Sequence, residues 1–461
     1  MKKSVQFFCK FLVISLVMMS ANSLFAQLEV ITLDEAISRA LSHNNQVLAS
    51  KYGLEQAKWD TKRAWAELFP TLDFNTRFTR IDQQTYEERD FRRYLPPEIA
   101  ATMPQTVFQE SYSSSLEVNM PLFNGVLFNG ISIANENETM AEQMNSSTRQ
   151  NIVFLVISSY LEVLKSKDVY TLQKEYLELS RLNYEKAERL YKANRYSKTE
   201  VLRWKVDLEQ QKSTVVTSES QLRSAITNLN RHIKLNIDAN TKVEVRLPEE
   251  LQTEKDKILT LSDEEILNMI DLTDEQLVKI NAALSAEQAG TEVSRLLYKN
   301  NYASYLPKVN ATYSYGWREN NTIGLDDYSP KTLSINLSVP IFSGFQNYTK
   351  LKSSYYEYKK KEEDFNNNIA NTKYLLTETV NKLINLRTQK ILSATSVEYS
   401  KSNYRTVETQ KEKGLVSNID FIDAKLNLQN ARLNQLSINY DLISTIVELY
   451  YMLGKVESVI Q

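Results

Sequence analysis

Apolar residues near the end of the chain follow a helical period along two separate stripes. One stripe extends from Ile422 to Tyr450 and the other from Ala424 to Leu449, in alternating steps of three and four residues. The two stripes are offset by two residues, and a rotation of about 100° per residue therefore places them on opposite sides of one helix. A helix with an apolar seam on each side needs a neighbour on each side. The pattern predicts a wall of laterally packed helices.

A polar stripe lies between these two seams. Its first members in the last helix are Asp420, Asp423, Asn427, Asn430 and Asn434. A matching stripe in the first half of the chain includes Arg203 and Asp207. A long hydrated face suits the inner wall of a water-filled duct, and it suits the solvated outside of the same wall equally well. The pattern alone leaves both interpretations open.

Two segments are long enough to form rods. No proline and no further glycine lies between Gly130 and Asn194, and the same holds between Gly344 and Gly414. At about 1.5 Å per residue, the first segment would form a helix of about 100 Å. Because a helix of this length exceeds any globular core, it must pack laterally against other long helices.

Four segments alternate between apolar and small polar residues with the period of a β-strand. They cover residues 72–79, 112–120, 309–317 and 333–341. A tilted strand that spans a membrane requires a length of about 10 residues. A soluble sheet that helices cover on one face would show the same alternation. The segments therefore predict half-buried strands without identifying what surrounds them.

The N-terminus has the features of a signal peptide. Residues 2–3 are basic, residues 11–19 are apolar and residues 20–26 are rich in small side chains, which predicts a signal peptide over 1–26. Cys9, the only cysteine, leaves with this segment, so we expect no disulfide in the mature chain. No later run of about eighteen apolar residues is present, which predicts no transmembrane helix. Four alternating strands in a secreted chain favour a β-barrel in an outer membrane.

Closure of such a barrel requires more than one chain. A sheet in lipid cannot leave an edge unpaired. Barrels begin at about eight strands. Four strands per chain therefore need at least one further copy, and these residues do not distinguish two chains from three.

The two halves of the chain repeat each other. Residues 118–125 (VNMPLFNG) recur as residues 337–344 (LSVPIFSG). Each half contains a helix pair, two strands and a long helix hairpin, in the same order. The fold class is therefore an α+β membrane protein with an internal two-fold repeat. The predicted parts are the signal peptide 1–26, a first repeat 27–230, a connector 231–262 and a second repeat 263–461.

The composition gives no sign of an enzyme. The chain has 55 basic and 57 acidic residues, and this balance does not favour nucleic acid as a partner. His43 and His232 are the only histidines, and they are far apart in the repeat. We find no glycine-rich phosphate loop and no metal-spaced ligands, so no catalytic, metal or cofactor residue is predicted. The alternative to a membrane channel is a soluble periplasmic coiled-coil scaffold protein.

Several short motifs, in their order and duplication, resemble the TolC outer-membrane efflux family across essentially the whole mature chain. The motifs are residues 33–37 (LDEAI), 69–72 (FPTL), 306–309 (LPKV), 121–125 (PLFNG), 340–344 (PIFSG) and the turn Gly414-x-x-Ser417-x-x-Asp420. The resemblance implies a homotrimer, hence a 12-stranded β-barrel in outer-membrane lipid, continued by a long α-helical barrel across the periplasm. It also implies a passive exit duct of a tripartite efflux or type I secretion system, docked to a periplasmic adaptor protein and an inner-membrane pump.

The resemblance assigns the periplasmic gate to two acidic residues after the second hairpin turn. In that family, acidic residues on this helix narrow the channel, and Asp420 and Asp423 occupy the corresponding positions. Asp420 also lies three residues after Ser417 in the pattern of a capping box, so a structural role remains open for it. Some relatives carry a basic residue two positions after the turn glycine, where this chain has Val416.

The resemblance also implies roles for the hairpin turns and for the polar stripe. Asn194, Ser197, Gly414 and Ser417 lie at the two tips, where the adaptor is expected to dock. On the same basis the polar stripe faces the channel lumen, so the lumen-lining residues are expected to be Asn427, Asn430 and Asn434.

Overall fold

The computed structural model describes residues 30–235, 242–243, 247–319 and 330–459. The predicted signal peptide 1–26 and parts of the predicted connector 231–262 lie outside the described residues. The described chain forms two compact units. The helical unit contains the described residues up to Tyr52, those of 143–285 and those from 367 onward, and the sheet unit contains residues 53–142 and the described residues of 286–366.

Helices form most of the described chain. They are α1 (Leu33–His43), α2 (Asn45–Ala66), α3 (Gln83–Arg89), α4 (Pro97–Ala100), α5 (Gly125–Lys192), α6 (Lys198–Ile233), α7 (Glu249–Thr260), α8 (Asp263–Asn268), α9 (Asp274–Ile280), α10 (Ala282–Ala303), α11 (Gln346–Glu412) and α12 (Asn418–Met452). The two predicted rods are α5, with 68 residues, and α11, with 67 residues. None of the described helices is both long enough and apolar enough to cross a membrane.

The rod α5 begins earlier than its glycine pattern predicts. It starts at Gly125, and Gly130 lies within its first turns. Asn124 supports this start, because its Oδ1 accepts a hydrogen bond of 3.1 Å from the backbone N–H of Val126. An interior glycine is tolerated here at a cost of about 1 kcal/mol relative to alanine.

Capping boxes start helices in both halves of the chain. The backbone N–H of Glu35 donates to the Thr32 hydroxyl, and the Glu35 carboxylate accepts from the backbone N–H of Thr32, at 3.2 and 3.1 Å. Ser262 and Glu265 form the same pair at the start of α8. Each box satisfies two backbone donors that a helix N-terminus otherwise leaves free.

In each half an asparagine between two consecutive helices contacts the end of the last helix of that half. Asn44 lies between α1 and α2 and donates from Nδ2 to the carbonyl of His232 at 3.0 Å. Asn281 lies between α9 and α10 and donates from Nδ2 to the carbonyl of Met452, also at 3.0 Å. The same contact thus ties down the corresponding break in both halves.

The core of the helical unit includes the middle of α5 and the end of α12. Val153, Val156, Leu442 and Val447 are fully buried there. The ring of Phe154 stacks on that of Tyr451 with 4.6 Å between centroids. Towards the end of α12, these contacts bury positions that its two apolar stripes predict as seams, whereas Leu426 on the first stripe is 36% exposed.

Four strands form one antiparallel sheet, and two short strands, β1 (Val30–Ile31) and β4 (Lys242–Val243), pair separately in parallel. The sheet strands are β2 (Thr71–Arg80), β3 (Glu110–Asn124), β5 (Lys308–Glu319) and β6 (Lys331–Ser338), and they lie in the order β2–β3–β5–β6. All four strands that alternation predicts are therefore confirmed.

The predicted apolar positions of these strands share one face of the sheet. Leu72 pairs with Val118, Val118 with Tyr313, and Tyr313 with Leu333, so one row crosses all four strands. Residues directly opposite one another lie on the same face. Within this chain the apolar face is open: Leu72 is 65% exposed and Leu333 is 69% exposed.

The strands differ from the predicted bounds by one to four residues at their ends, and proline accounts for two of these differences. The segment predicted over 333–341 ends at Ser338 because Pro340 has no N–H to donate to the ladder. In β3 the strand continues past Pro121 to Asn124, with a shift of register between Pro121 and Phe123. A bulge of this kind is one of the places where a sheet accepts proline.

Candidate gate and hairpin tips

The first helix hairpin turns between α5 and α6 at Asn194. Asn194 has a φ of 54°, in the left-handed region. The backbone N–H of Arg195 donates to the carbonyl of Leu190 at 2.8 Å, which closes the end of α5. Ser197 then caps α6, and Glu200 completes the capping box. The turn predicted from Asn194 and Ser197 is therefore confirmed.

The second hairpin turns between α11 and α12 with the same backbone arrangement. Gly414 has a φ of 71°, and the backbone N–H of Leu415 donates to the carbonyl of Gln410 at 2.9 Å. Ser417 caps α12 in a capping box with Asp420. Gly414 and Ser417 thus have the local roles that their residue types predict.

The side chain of Asp420 forms hydrogen bonds in this capping box. Its Oδ2 accepts from the backbone N–H of Ser417 at 3.0 Å and from the Ser417 hydroxyl at 2.7 Å. These hydrogen bonds hold the pKa of Asp420 below its ordinary value, because they stabilise the carboxylate form. The carboxylate is exposed and ionised, so structural and electrostatic roles are compatible at this residue.

Asp423 is exposed and has no ion pair within the described part of the chain. The three asparagines that follow on the same stripe, Asn427, Asn430 and Asn434, are exposed as well. Their exposure in a single chain agrees with a hydrated face.

A buried lysine adjoins this stripe, and the stripe pattern does not indicate it. Lys425 is fully buried, and its Nζ donates to Asp207 at 2.5 and 2.6 Å and to the Ser180 hydroxyl at 2.9 Å. Burial lowers the pKa of Lys425, whereas the Asp207 carboxylate acts in the opposite direction. The assignment of Asp207 to a solvated stripe is wrong, because its side chain is only 8% exposed.

A layer of glutamines lies next to this ion pair. The side-chain amide of Gln429 donates to Gln173 at 2.7 Å, and that of Gln211 donates to Gln429 at 3.0 Å. All three residues are buried. Gln429 interrupts an apolar seam of α12, and this interruption is the sequence signal that could have revealed the layer.

An aromatic cluster lies between these polar layers and the tips. Trp204 and Phe421 are buried, with ring centroids 6.0 Å apart. The Nζ of Lys411 lies 4.1 Å from the centroid of Trp204 and 3.8 Å from that of Phe421, within the range of a cation–π interaction. Burial lowers the pKa of Lys411 to about 8.

The two hairpins also contact each other directly beside the tips. The Nδ2 of Asn418 donates to the Glu200 carboxylate at 2.9 Å, and the Tyr196 hydroxyl lies 3.5 Å from the Asn418 Oδ1. The sequence predicts two separate turns, one with Asn194 and Ser197 and one with Gly414 and Ser417. The structure joins the two turns through these contacts. Among the described residues no group of three or more His, Cys, Asp or Glu side chains is placed to hold a metal ion.

Comparisons with known proteins give a family and several relatives. The family described as "Outer membrane efflux protein" matches residues 36–233 and 275–455. The alkaline protease secretion protein AprF of Pseudomonas aeruginosa is 19% identical over 352 residues, which cover 75% of this chain and 70% of AprF.

Solved structures agree at the level of fold. The CmeC outer membrane channel of Campylobacter jejuni matches with a TM-score of 0.78 at 14% identity, over 92% of this chain and 86% of CmeC. The outer membrane protein VceC of Vibrio cholerae matches with a TM-score of 0.76 at 16% identity, over 92% of this chain and 96% of VceC.

Proposed function

The chain belongs to the outer membrane efflux protein family, and on that premise we propose that three copies form the passive exit duct of a tripartite efflux or type I secretion system. The TolC-type resemblance expected from the motifs is confirmed by this membership. Members of the family are outer-membrane channels and not enzymes. The chain is located in the outer membrane, with its helical part in the periplasm.

The observation that carries the proposal is the open sheet. Its apolar face exposes Phe74 at 63%, Ile335 at 65% and Leu337 at 66%, far more apolar surface than a soluble sheet leaves in water. In the described chain neither edge strand, β2 or β6, pairs with a further strand. Lipid on the apolar face and strands of neighbouring copies on both edges account for both features. Three copies close a 12-stranded barrel.

The long hairpins supply the remainder of the proposed duct. In this arrangement Asn427, Asn430 and Asn434 line the lumen, and Asp420 and Asp423 form the periplasmic gate. The exposure of these five side chains supports the assignment. Six carboxylates from three copies would converge at one constriction and favour cations over anions.

The proposed organisation keeps the two repeats, 27–230 and 263–461, joined by the connector 231–262. The matching contacts of Asn44 and Asn281 support a common origin of the two halves. Partners beyond the trimer are proposed to be a periplasmic adaptor at the tips and an inner-membrane pump behind it. AprF is an alkaline protease secretion protein and CmeC is an outer membrane channel, and both agree with an exit duct.

Native mass spectrometry of the protein, extracted in detergent from outer membranes, tests this function. The expected result is a three-chain mass. A single chain recovered from the soluble periplasm would overturn the proposal and favour a coiled-coil scaffold.

A further inference from the structure

The two hairpin tips have the same backbone and different chemistry. Asn194 and Gly414 take the same left-handed turn, and the next residue, Arg195 or Leu415, makes the same backbone hydrogen bond to the end of the preceding helix. Arg195 and Leu415 therefore occupy equivalent positions in the two turns, and both side chains are exposed. One tip presents a guanidinium there, and the other presents an isobutyl group.

The charge around the two turns also differs. Residues 189–203 contain five basic residues and one acidic residue, whereas the matching residues 409–423 contain two basic and three acidic residues. The single acidic residue of the first tip, Glu200, is engaged by its capping box and by Asn418. The first tip thus has a surplus of positive charge that its own residues do not neutralise.

All five cations of the first tip are exposed, and the described chain gives none of them an ion pair. They are Arg189, Lys192, Arg195, Lys198 and Arg203. Like charges at this density repel one another, which is unfavourable unless a partner supplies negative charge. Arg181 and Lys212, further along the same hairpin, do pair with glutamates. Five exposed cations without a carboxylate partner among the described residues thus lie together at the first turn.

Directly at its turn the second tip exposes apolar side chains, whereas the exposed apolar residues of the first tip, Tyr191 and Leu202, lie further from the turn. Leu415 is 71% exposed and Ile419 is 46% exposed, on either side of the Ser417 cap. The corresponding residues of the first tip are Arg195 and Thr199. Exposed apolar groups at a rigid turn are suited to insert into a partner's pocket.

From this asymmetry we propose that the adaptor docks through helical hairpins that make two kinds of contact. Acidic side chains of the adaptor contact the first tip, and an apolar pocket of the adaptor receives the second. The inference rests on the proposed function and gives the adaptor its chemistry. Opposite charge at the first tip steers the approach and selects the partner, and burial of Leu415 at the second slows its release. A basic adaptor turn would be rejected at the first tip.

The test uses intact trimers in nanodiscs and two synthetic helical hairpins. Both hairpins carry a leucine at the turn, and they differ only in two flanking glutamates or two flanking lysines. At low salt the glutamate hairpin is expected to bind at least tenfold more tightly than the lysine hairpin, and high salt is expected to remove the difference.

Exchange of residues between the tips separates the two contacts. The variant Arg195→Leu/Lys198→Asn copies the residues of the second tip, and we expect it to weaken the glutamate hairpin about tenfold. Leu415→Arg copies the first tip, and we expect faster dissociation of both hairpins. Lys401→Leu removes an exposed lysine about three helical turns from the second tip and serves as the control with unchanged binding.

Each failure has its own signature. Equal binding of both hairpins to intact trimers, or no binding of the glutamate hairpin, would overturn the inference and leave the duct proposal standing. Equally tight binding to anionic phosphatidylglycerol vesicles would overturn it in favour of a lipid partner. Failure of the duct proposal would be visible earlier, because native mass spectrometry would find no trimer.

Discussion

The sheet unit and the helical unit distribute their apolar and charged side chains in opposite ways. In the sheet, Leu72, Ile335 and Leu337 are each about two-thirds exposed. In the helical unit, Lys425 is fully buried and its partner Asp207 nearly so. Each arrangement would be a fault in a soluble monomer, because water disfavours exposed apolar sheets and burial disfavours charge. The sheet therefore requires a solvent other than water. The helical unit requires α5, α6 and α12 in a defined register, because Lys425 bonds to Ser180 and Asp207 on the other two helices.

The largest expected effect comes from breaking the buried ion pair. Lys425→Met leaves the Asp207 carboxylate buried without its partner and is expected to lower the free energy of unfolding by about 3–5 kcal/mol per chain. Guanidinium unfolding of purified trimers, followed by circular dichroism, measures this loss.

The matched variants make this prediction specific. Lys205→Met changes the lysine at the corresponding position of the first half, which is exposed, and we expect a change within about 0.5 kcal/mol. The double variant Lys425→Met/Asp207→Leu removes both charges and is expected to recover most of the stability. Equal losses in Lys425→Met and Lys205→Met would show that burial does not govern the interaction.

The strands were predictable because their signal is local. Alternation with a period of two identifies a strand from its own residues, and the register places all predicted apolar positions on one face. The ends of the strands were predicted less well. At Pro340 and at the bulge near Pro121, the missing N–H of proline changes the pairing, which the alternation does not indicate. The partners of the two edges leave no such local signal, since in the proposed barrel those partners belong to other chains.

The sequence pattern did not predict the buried polar layers, because they form only where α5, α6 and α12 pack together. Lys425 lies on neither apolar stripe nor on the polar stripe, and a single lysine on a helix is usually solvated. Asp207 fits a polar stripe by spacing, yet packing places it inside. The hairpin turns could be predicted because the residue types of a turn are specific to its geometry. Asn194 and Gly414 take the left-handed conformation, and Ser197 and Ser417 cap the helices that follow. The gate and lumen roles stay predictions.

The next effect in size tests the sheet. If its apolar face meets lipid, Ile335→Arg places a guanidinium in the hydrocarbon region and is expected to cost about 2–4 kcal/mol per chain in membrane insertion. Asn336→Arg, one residue further on, points to the polar face and is expected to cost little. The measurement is the urea dependence of folding into lipid vesicles. Similar costs for both variants would contradict a lipid-facing role.

The smallest effect on stability is expected at Asp423, where a charge is exposed and unpaired within the described chain. Asp423→Ala removes no buried contact, so we expect the free energy of unfolding to change by less than about 0.5 kcal/mol. At the proposed gate, however, three carboxylates disappear at once, and the preference for cations is expected to fall. The reversal potential of trimers in a planar bilayer under a potassium chloride gradient measures that preference. Asn427→Ala, a neutral change on the same stripe, is the control. An unchanged reversal potential in Asp423→Ala would place this residue on the outside of the wall, where an exposed carboxylate has no pore to influence.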